Sequence, residues 1–361
     1  MSPPDSVLVV VTRRIGDVLL TTPLIRSLKH AWPSTFIDVL VFSGTEGVLA
    51  ANPDIRRVIT IAERPRTLDH LRLLATIARR YDLALSVVPS DRPTLYAWLA
   101  GRRRIGLVVD DAKHRWKTWL LQNWAPFDPL NTHTVLMHLA LAKTLAIPPR
   151  YEVVINWSTQ DEEAVERLLP FSTGGAYAVL HAYPKFNYKM WRHEGWIEVA
   201  LWLQSRGMRV VLSGGGDAQE LAYVETIARG APDAVNLAGQ LTLSQLAYVL
   251  KRARAYAGPD TAVTHMAAAL GVPVIALYGA TDPVKWGPWP NGYARAANPW
   301  RRLGTQKVNN VTLIQGSAAC APCFNEGCDR RIASYSDCLQ QLPASMVTSA
   351  LATALEATSH G

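Results

Sequence analysis

Short runs of aliphatic and β-branched residues alternate with longer amphipathic stretches along almost the whole chain. SVLVVVT at 6–12, FIDVLV at 36–41, LALSVV at 83–88, AYAVL at 176–180, RVVLS at 209–213 and PVIALY at 273–278 read as strands, with two more at 57–61 and 253–257. The stretches at 16–31, 67–80, 133–145, 194–206, 217–229, 243–252, 261–270 and 343–357 read as helices. Apolar strands alternating with helices predict parallel sheets covered by helices, an α/β fold.

The alternation breaks at IPPRYEVVINWSTQDEE, 147–163, where a Pro-Pro pair joins a new strand and helix. This is the best boundary, and 361 residues suffice for two domains, each with its own core. The expected division is 1–155, 156–342 and a C-terminal helix over 343–361 packing back on the first domain. Both domains are expected to be doubly wound and to face a cleft, with ligands beyond the carboxyl ends of the strands. Segment 280–340, rich in Pro, Trp, Arg and Cys, lacks periodicity and reads as a long functional loop region.

Hydrophobic residues make up 49% of the chain, and no run approaches the ~20 apolar residues of a membrane span. The apolar start is too short for a signal peptide and has no basic segment before it, so a cytoplasmic protein is expected. The net charge of +8 is uneven: residues 1–150 hold 20 Lys or Arg against 12 Asp or Glu, whereas 151–361 hold 17 of each. A basic first half suits an acidic partner, whether nucleic acid, an anionic membrane face or a phosphorylated ligand, or else is a solubilising surface.

Candidate chemistry concentrates in a few stretches. In GPDTAVTHMAAALGVPVIALYG, 258–279, Asp260 is read as N-cap of a helix beginning near Thr261, with the Gly-Pro pair shaping the turn. The unpaired amides and dipole of that helix start would suit a phosphate. After the first strand, Arg13-Arg14-Ile15-Gly16-Asp17 places a carboxylate in a first helical turn, as a dipole partner or as a general base for an attacking hydroxyl. There is no G-x-x-x-x-G-K-[ST], and no G-x-G-x-x-G follows the first strand, which argues against a P-loop ATPase and a nicotinamide dehydrogenase. Cys320, Cys323, Cys328 and Cys338 lie within 19 residues and suggest a structural zinc or iron site pinning the long loop, or free thiols.

RRIGDVLLTTPLIRSLKHAWPSTFIDVLV, HAYPKFNYKMW, GGGDAQE, AGQLTLSQLAYVLKRA and GPDTAVTHMAAALGVPVIALYGATDPVKWGPW, in that order, resemble glycosyltransferase family 9, the lipopolysaccharide heptosyltransferases. CAPCFNEGCDRRIASYSDCL and IDVLVFSGTEGVLAANPDI resemble most closely the branch that adds the third inner-core heptose. The resemblance implies a GT-B arrangement of two Rossmann-like domains, the first for the acceptor and the second for ADP-heptose. By the same resemblance Asp17 is the general base and Lys189 contacts the donor phosphates. Asp260, Thr261 and His265 hold the nucleotide diphosphate, and Glu220 lies near the ribose. Ala262 stands where the family usually has Gly, and its methyl narrows the room beside the phosphates.

Lysine and helix amides would stabilise a departing diphosphate without a divalent metal. No D-x-D is present, and adjacent Asp110 and Asp111 read as a solvated turn. Transfer is therefore expected to be cofactor-free and metal-independent, and the resemblance implies that it is inverting. The acidic inner-core acceptor would meet Arg13, Arg14, Arg102, Arg103 and Arg104, with peripheral contact at the inner membrane and no nucleic acid. Two alternatives stand: a transferase of the same fold using another sugar or acceptor, such as O-antigen or protein, and a non-enzymatic basic binding protein with a cysteine metal site.

Overall fold

A computed structural model describes residues 2–173 and 175–359. The chain divides into two units at Asn156–Trp157, with Ala294–Asn298 returning to the first.

The first unit holds β1 (Ser6–Val10), α1 (Ile15–Leu19), α2 (Thr22–Ala31), β2 (Phe36–Phe42), β3 (Arg57–Ile61), α3 (Thr67–Ile77), β4 (Tyr81–Ser86), α4 (Asp91–Ala100), β5 (Gly101–Val108), α5 (Lys117–Leu120), β6 (Asn123–Pro126) and α6 (Thr134–Thr144). Its six strands are parallel in the order β3-β2-β1-β4-β5-β6. This is a doubly wound order, and its direction reverses between β1 and β4. Val7 to Val11 are fully buried, as the unbroken valine run requires of a strand covered on both faces.

The second unit holds α7 (Thr159–Leu168), β7 (Tyr177–His181), α8 (His193–Gln204), β8 (Arg209–Ser213), α9 (Ala218–Gly230), β9 (Val235–Asn236), α10 (Leu243–Arg252), β10 (Ala255–Pro259), α11 (Ala262–Ala269), β11 (Val274–Tyr278), α12 (Pro283–Trp286), β12 (Gln306–Val308), β13 (Val311–Gln315), α13 (Asp337–Gln340) and α14 (Ala344–Ser359). The order is β12-β13-β11-β10-β7-β8-β9, parallel except for β12 against β13. Here the reversal falls between β7 and β10.

Both expected doubly wound sheets are present, with several local differences. The stretch read as one helix over 16–31 is two, since Pro23 starts α2 after a break at Leu20–Thr21. No strand forms after the Pro-Pro pair. Instead Arg150 N–H donates to Ser27 Oγ (2.8 Å) and Val154 N–H to Thr22 Oγ1 (2.9 Å), so the linker spends its backbone donors on hydroxyls of α2. The C-terminal helix belongs to the second unit, a correction to its expected return to the first. Val347 and Leu351 are buried in the same apolar cluster as Ala257 of β10, Ile275 of β11 and Ile314 of β13. No helix among the described residues is long and apolar enough to cross a membrane.

Candidate active site

Open α/β sheets bind ligands at the carboxyl ends of strands where the order reverses. In the second unit these are the loops after β7 and β10, which carry Lys189 and Asp260. Lys189 ends a single helical turn, Asn187–Lys189, and its neighbours fix it firmly. Trp191 and Trp196 are fully buried and meet edge to face with centroids 4.9 Å apart. Trp191 Nε1 donates to the Leu342 carbonyl (3.0 Å). Gly195 is required beneath that ring, because a Cβ there would stand 2.4 Å from Trp191. The far side of the loop is held by the cysteine-rich segment. Asn187 Nδ2 donates to Ala333 O (3.1 Å), Ser336 Oγ to Tyr188 O (2.7 Å) and Gln340 Nε2 to Met190 O (2.6 Å).

So held, Lys189 Nζ lies 2.5 Å from Asp260 Oδ2. Asp260 is buried, which disfavours its charge, yet Lys189, His265 and a hydrogen bond from Thr281 together keep its carboxyl below the ordinary range. Tyr278 Oη also donates to Asp260 Oδ1 (3.3 Å). The N-cap reading of Asp260 is corrected: Thr261 occupies that position and α11 begins at Ala262. Asp260 is committed to Lys189 instead. Gly258 and Pro259 end β10 rather than forming a turn, and Gly258 leaves space for the phenol of Tyr256, whose Oη would lie 2.1 Å from a Cβ. That phenol is 2.8 Å from Thr264 Oγ1, tying α11 to its strand.

His265 is buried on α11, with Nε2 3.9 Å from Asp260 Oδ1 and no hydrogen-bond partner for Nδ1 among the described residues. Burial pushes it down to about 4, against the pull of Asp260, so the ring is neutral at pH 7. Half-buried Ala262 opens the helix, and its methyl stands beside the first-turn amides. Glu220 sits in the first turn of α9, behind the N-cap Asp217, and lies over Gly214 and Gly215 at the carboxyl end of β8. Burial raises its carboxyl, partly offset by a hydrogen bond from the Gly215 backbone.

In the first unit, Arg13, Arg14 and Asp17 follow β1 at the reversal point, with Arg14 the N-cap of α1 and Asp17 in its first turn. Arg102, Arg103 and Arg104 do not join them. They open β5 at the amino end of the sheet, and Arg102 pairs with Asp82 at 3.7 Å. The five arginines read together as acceptor contacts are thus divided between the two ends of the first sheet, with Arg102 to Arg104 as three successive residues of a ladder strand.

The thiols do not form a ready site. Cys320 and Cys328 are exposed, Cys323 is half-buried and Cys338 is buried. Among the described residues no three His, Cys, Asp or Glu side chains are gathered to hold a metal ion. The loop is pinned by Cys338 and Leu339 packing against Gly279 and by the hydrogen bonds to the Lys189 segment. Sequence reading missed Tyr278 and Thr281; their signal was position, since the chain after β11 adjoins that after β10.

Residues 71–315 match glycosyltransferase family 9 (heptosyltransferase). Lipopolysaccharide heptosyltransferase 3 of Escherichia coli K12 is 31% identical over 287 residues, 76% of this chain and 82% of its own. Among solved structures, the family 9 glycosyl transferase of Veillonella parvula DSM 2008 has a TM-score of 0.79 at 18% identity, covering 98% of this chain and 97% of its own. E. coli heptosyltransferase WaaC with ADP has a TM-score of 0.72 at 22% identity, covering 97% and 99%. The structural likenesses speak for the fold, a GT-B type; the family follows from the sequence matches. A match that enters both units, joined to a relative above 30% identity over most of both chains, shows that this chain belongs to glycosyltransferase family 9, the heptosyltransferases.

Proposed function

We propose that the chain transfers a heptose from ADP-heptose to the lipopolysaccharide inner core, with inversion and without a divalent metal. The observation that carries this is the Lys189–Asp260 pair beside the start of α11, at the β7/β10 reversal point of a family 9 chain. The lipopolysaccharide heptosyltransferase 3 of E. coli supports the acceptor class, and the ADP complex of E. coli heptosyltransferase WaaC supports the nucleotide.

In this reading the donor diphosphate lies at the first-turn amides of α11 and draws the Lys189 ammonium partly from Asp260. Charge builds on the diphosphate as its bond to the anomeric carbon breaks. Lys189, the helix amides and a neutral His265 N–H are preorganised donors for that charge, which is where such groups accelerate a reaction most. Glu220 serves the nucleotide ribose. Asp17 takes the proton of the acceptor hydroxyl as its oxygen bonds the anomeric carbon from the opposite face. Arg13 and Arg14, on the same loop, meet acidic groups of the acceptor. Arg102 to Arg104 are left out of this assignment, and no structural zinc or iron is included, because the thiols do not fit a preformed tetrahedral set. The enzyme would act from the cytoplasmic side, at the membrane that carries its acceptor.

Calorimetric titration with ADP, UDP and GDP, with and without EDTA, tests the donor side. Selective ADP binding unaffected by EDTA is the expected result. Preference for another nucleotide would favour the alternative of a different sugar on the same fold. Asp17→Ala is expected to abolish transfer while ADP affinity changes less than about twofold; equal loss of both would remove Asp17 from the role of base.

A further inference from the structure

The arginines that the acceptor reading does not use share one place in the fold. Arg56 and Arg57 lead into β3, Arg79 and Arg80 precede β4, and Arg102 to Arg104 open β5. All seven therefore stand at the amino edge of the first sheet. The ladder registers place Arg57, Asp38, Leu8, Ala84 and Arg104 in one row across five strands. Asp17 follows the opposite end of β1, about 15 Å along the strand direction.

A cavity of about 500 Å³ opens at this edge, lined by Arg56, Arg57, Arg80 and Tyr81. Beside it lies Asp38, whose carboxylate is fully buried. Arg56 binds it as a fork, Nε to Oδ1 at 2.8 Å and Nη2 to Oδ2 at 2.7 Å. Tyr81 Oη donates to Oδ2 at 2.7 Å, and Arg57 Nη2 reaches Oδ2 at 3.1 Å. One buried carboxylate is thus satisfied by one arginine fork, a phenol and a second arginine. Neutralising Asp38 accounts for one positive charge of the three in the wall. The Arg80 guanidinium makes no hydrogen bond or ion pair among the described residues, and it is exposed. The wall carries about two unbalanced positive charges and borders a hollow that is open to solvent on one side and has room for a small anionic group.

We propose that this cavity is an anion site for a phosphate- or diphosphate-bearing group, separate from the donor site. Guanidinium forks match phosphate oxygens in pairs, which point charges on a flexible stem do not. The buried Asp38–Tyr81 floor holds Arg56 and Arg57 in place before any ligand arrives, so little ordering is lost on binding. The group could arrive on a dissolved ester or on a lipid headgroup; the recognition chemistry is the same.

The test uses the full chain carrying Lys189→Ala, which removes the proposed donor-phosphate contact, so its result does not depend on the transferase assignment. Pyrophosphate is titrated by calorimetry, and co-sedimentation is measured with phosphatidylglycerol and with phosphatidylcholine vesicles. Adding Arg80→Gln is expected to weaken binding about tenfold, the loss of one charge-assisted contact. Arg80→Lys, which keeps the charge and loses the fork, is expected to fall between. Pyrophosphate binding that depends on Arg80 supports a dissolved ligand. Arg80-dependent binding to phosphatidylglycerol vesicles alone supports a headgroup. Absence of both, or binding indifferent to Arg80, overturns the proposal.

Discussion

Two histidines of the second unit are held neutral by burial. His181, at the end of β7, lies 3.2 Å from Ser213 Oγ, and burial pushes it down to about 4, like His265. An unfolded histidine takes a proton near pH 6.5. As pH falls through 6.5 the unfolded state therefore binds protons that the folded state refuses, and stability declines until the folded groups titrate near pH 4. The depressed carboxyls of Asp38 and Asp260 behave differently: their contribution is complete above the unfolded value near 3.9 and is lost only below it. From pH 6.5 to about 5, above the range in which unfolded carboxylates protonate, the histidines set the trend, with the raised Glu220 carboxyl working in the opposite sense. Urea unfolding across this range should lose up to about 1.4 kcal/mol per pH unit for each of the two, and His265→Gln should remove about half of that slope. A flat profile would mean the rings are solvated. His265 was legible from its motif. Tyr278 was not, because it reaches Asp260 only through the pairing of β10 with β11.

Elements matter to this site through what clamps them. The turn carrying Lys189 receives three hydrogen bonds to or from segment 333–340, a stretch without periodicity that sequence alone marks only as a functional loop. Gln340→Ala removes the bond to the Met190 carbonyl on the turn's C-terminal side. Gln340 is only partly buried, so the fold should tolerate the change, with a loss of roughly 1 kcal/mol. The lysine should then sample more positions, and ADP affinity should fall about three- to tenfold with the melting temperature lowered by less than about 4 °C. Unchanged affinity would show that the Trp191–Trp196 pair holds the turn alone. The elements that sequence located most securely are the apolar strands covered on both faces, such as β1 and β11. It missed β5, whose arginines hide a ladder strand, and β13, because VTLIQ is too short to show a period within an irregular segment.

At the scale of the molecule, each unit encloses apolar clusters of its own: Leu8, Leu40, Tyr96 and their neighbours in the first, and Trp191, Val199, Leu277 and theirs in the second. The proposed roles divide along the same line, Asp17 in the first unit and Lys189, Asp260 and His265 in the second. Ligand binding to the folded state adds RT ln(1 + [L]/Kd), about 2.7 kcal/mol at a hundredfold excess over Kd. For a unit of this size that corresponds to a rise of roughly 5–10 °C in the transition it governs. If the second unit alone holds the nucleotide, Asp17→Ala should keep this ADP-dependent rise while losing turnover, and Lys189→Ala should lose most of it. Lys189→Ala should also cost about 2 kcal/mol without ligand, since Asp260 is left buried beside a missing cation, somewhat less than a fully buried pair because Lys189 is 20% exposed. Comparing the shift on adding ADP, rather than the melting temperature itself, separates that structural loss from the loss of binding. A full ADP shift in Lys189→Ala, or its disappearance in Asp17→Ala, would reverse the assignment of nucleotide to the second unit.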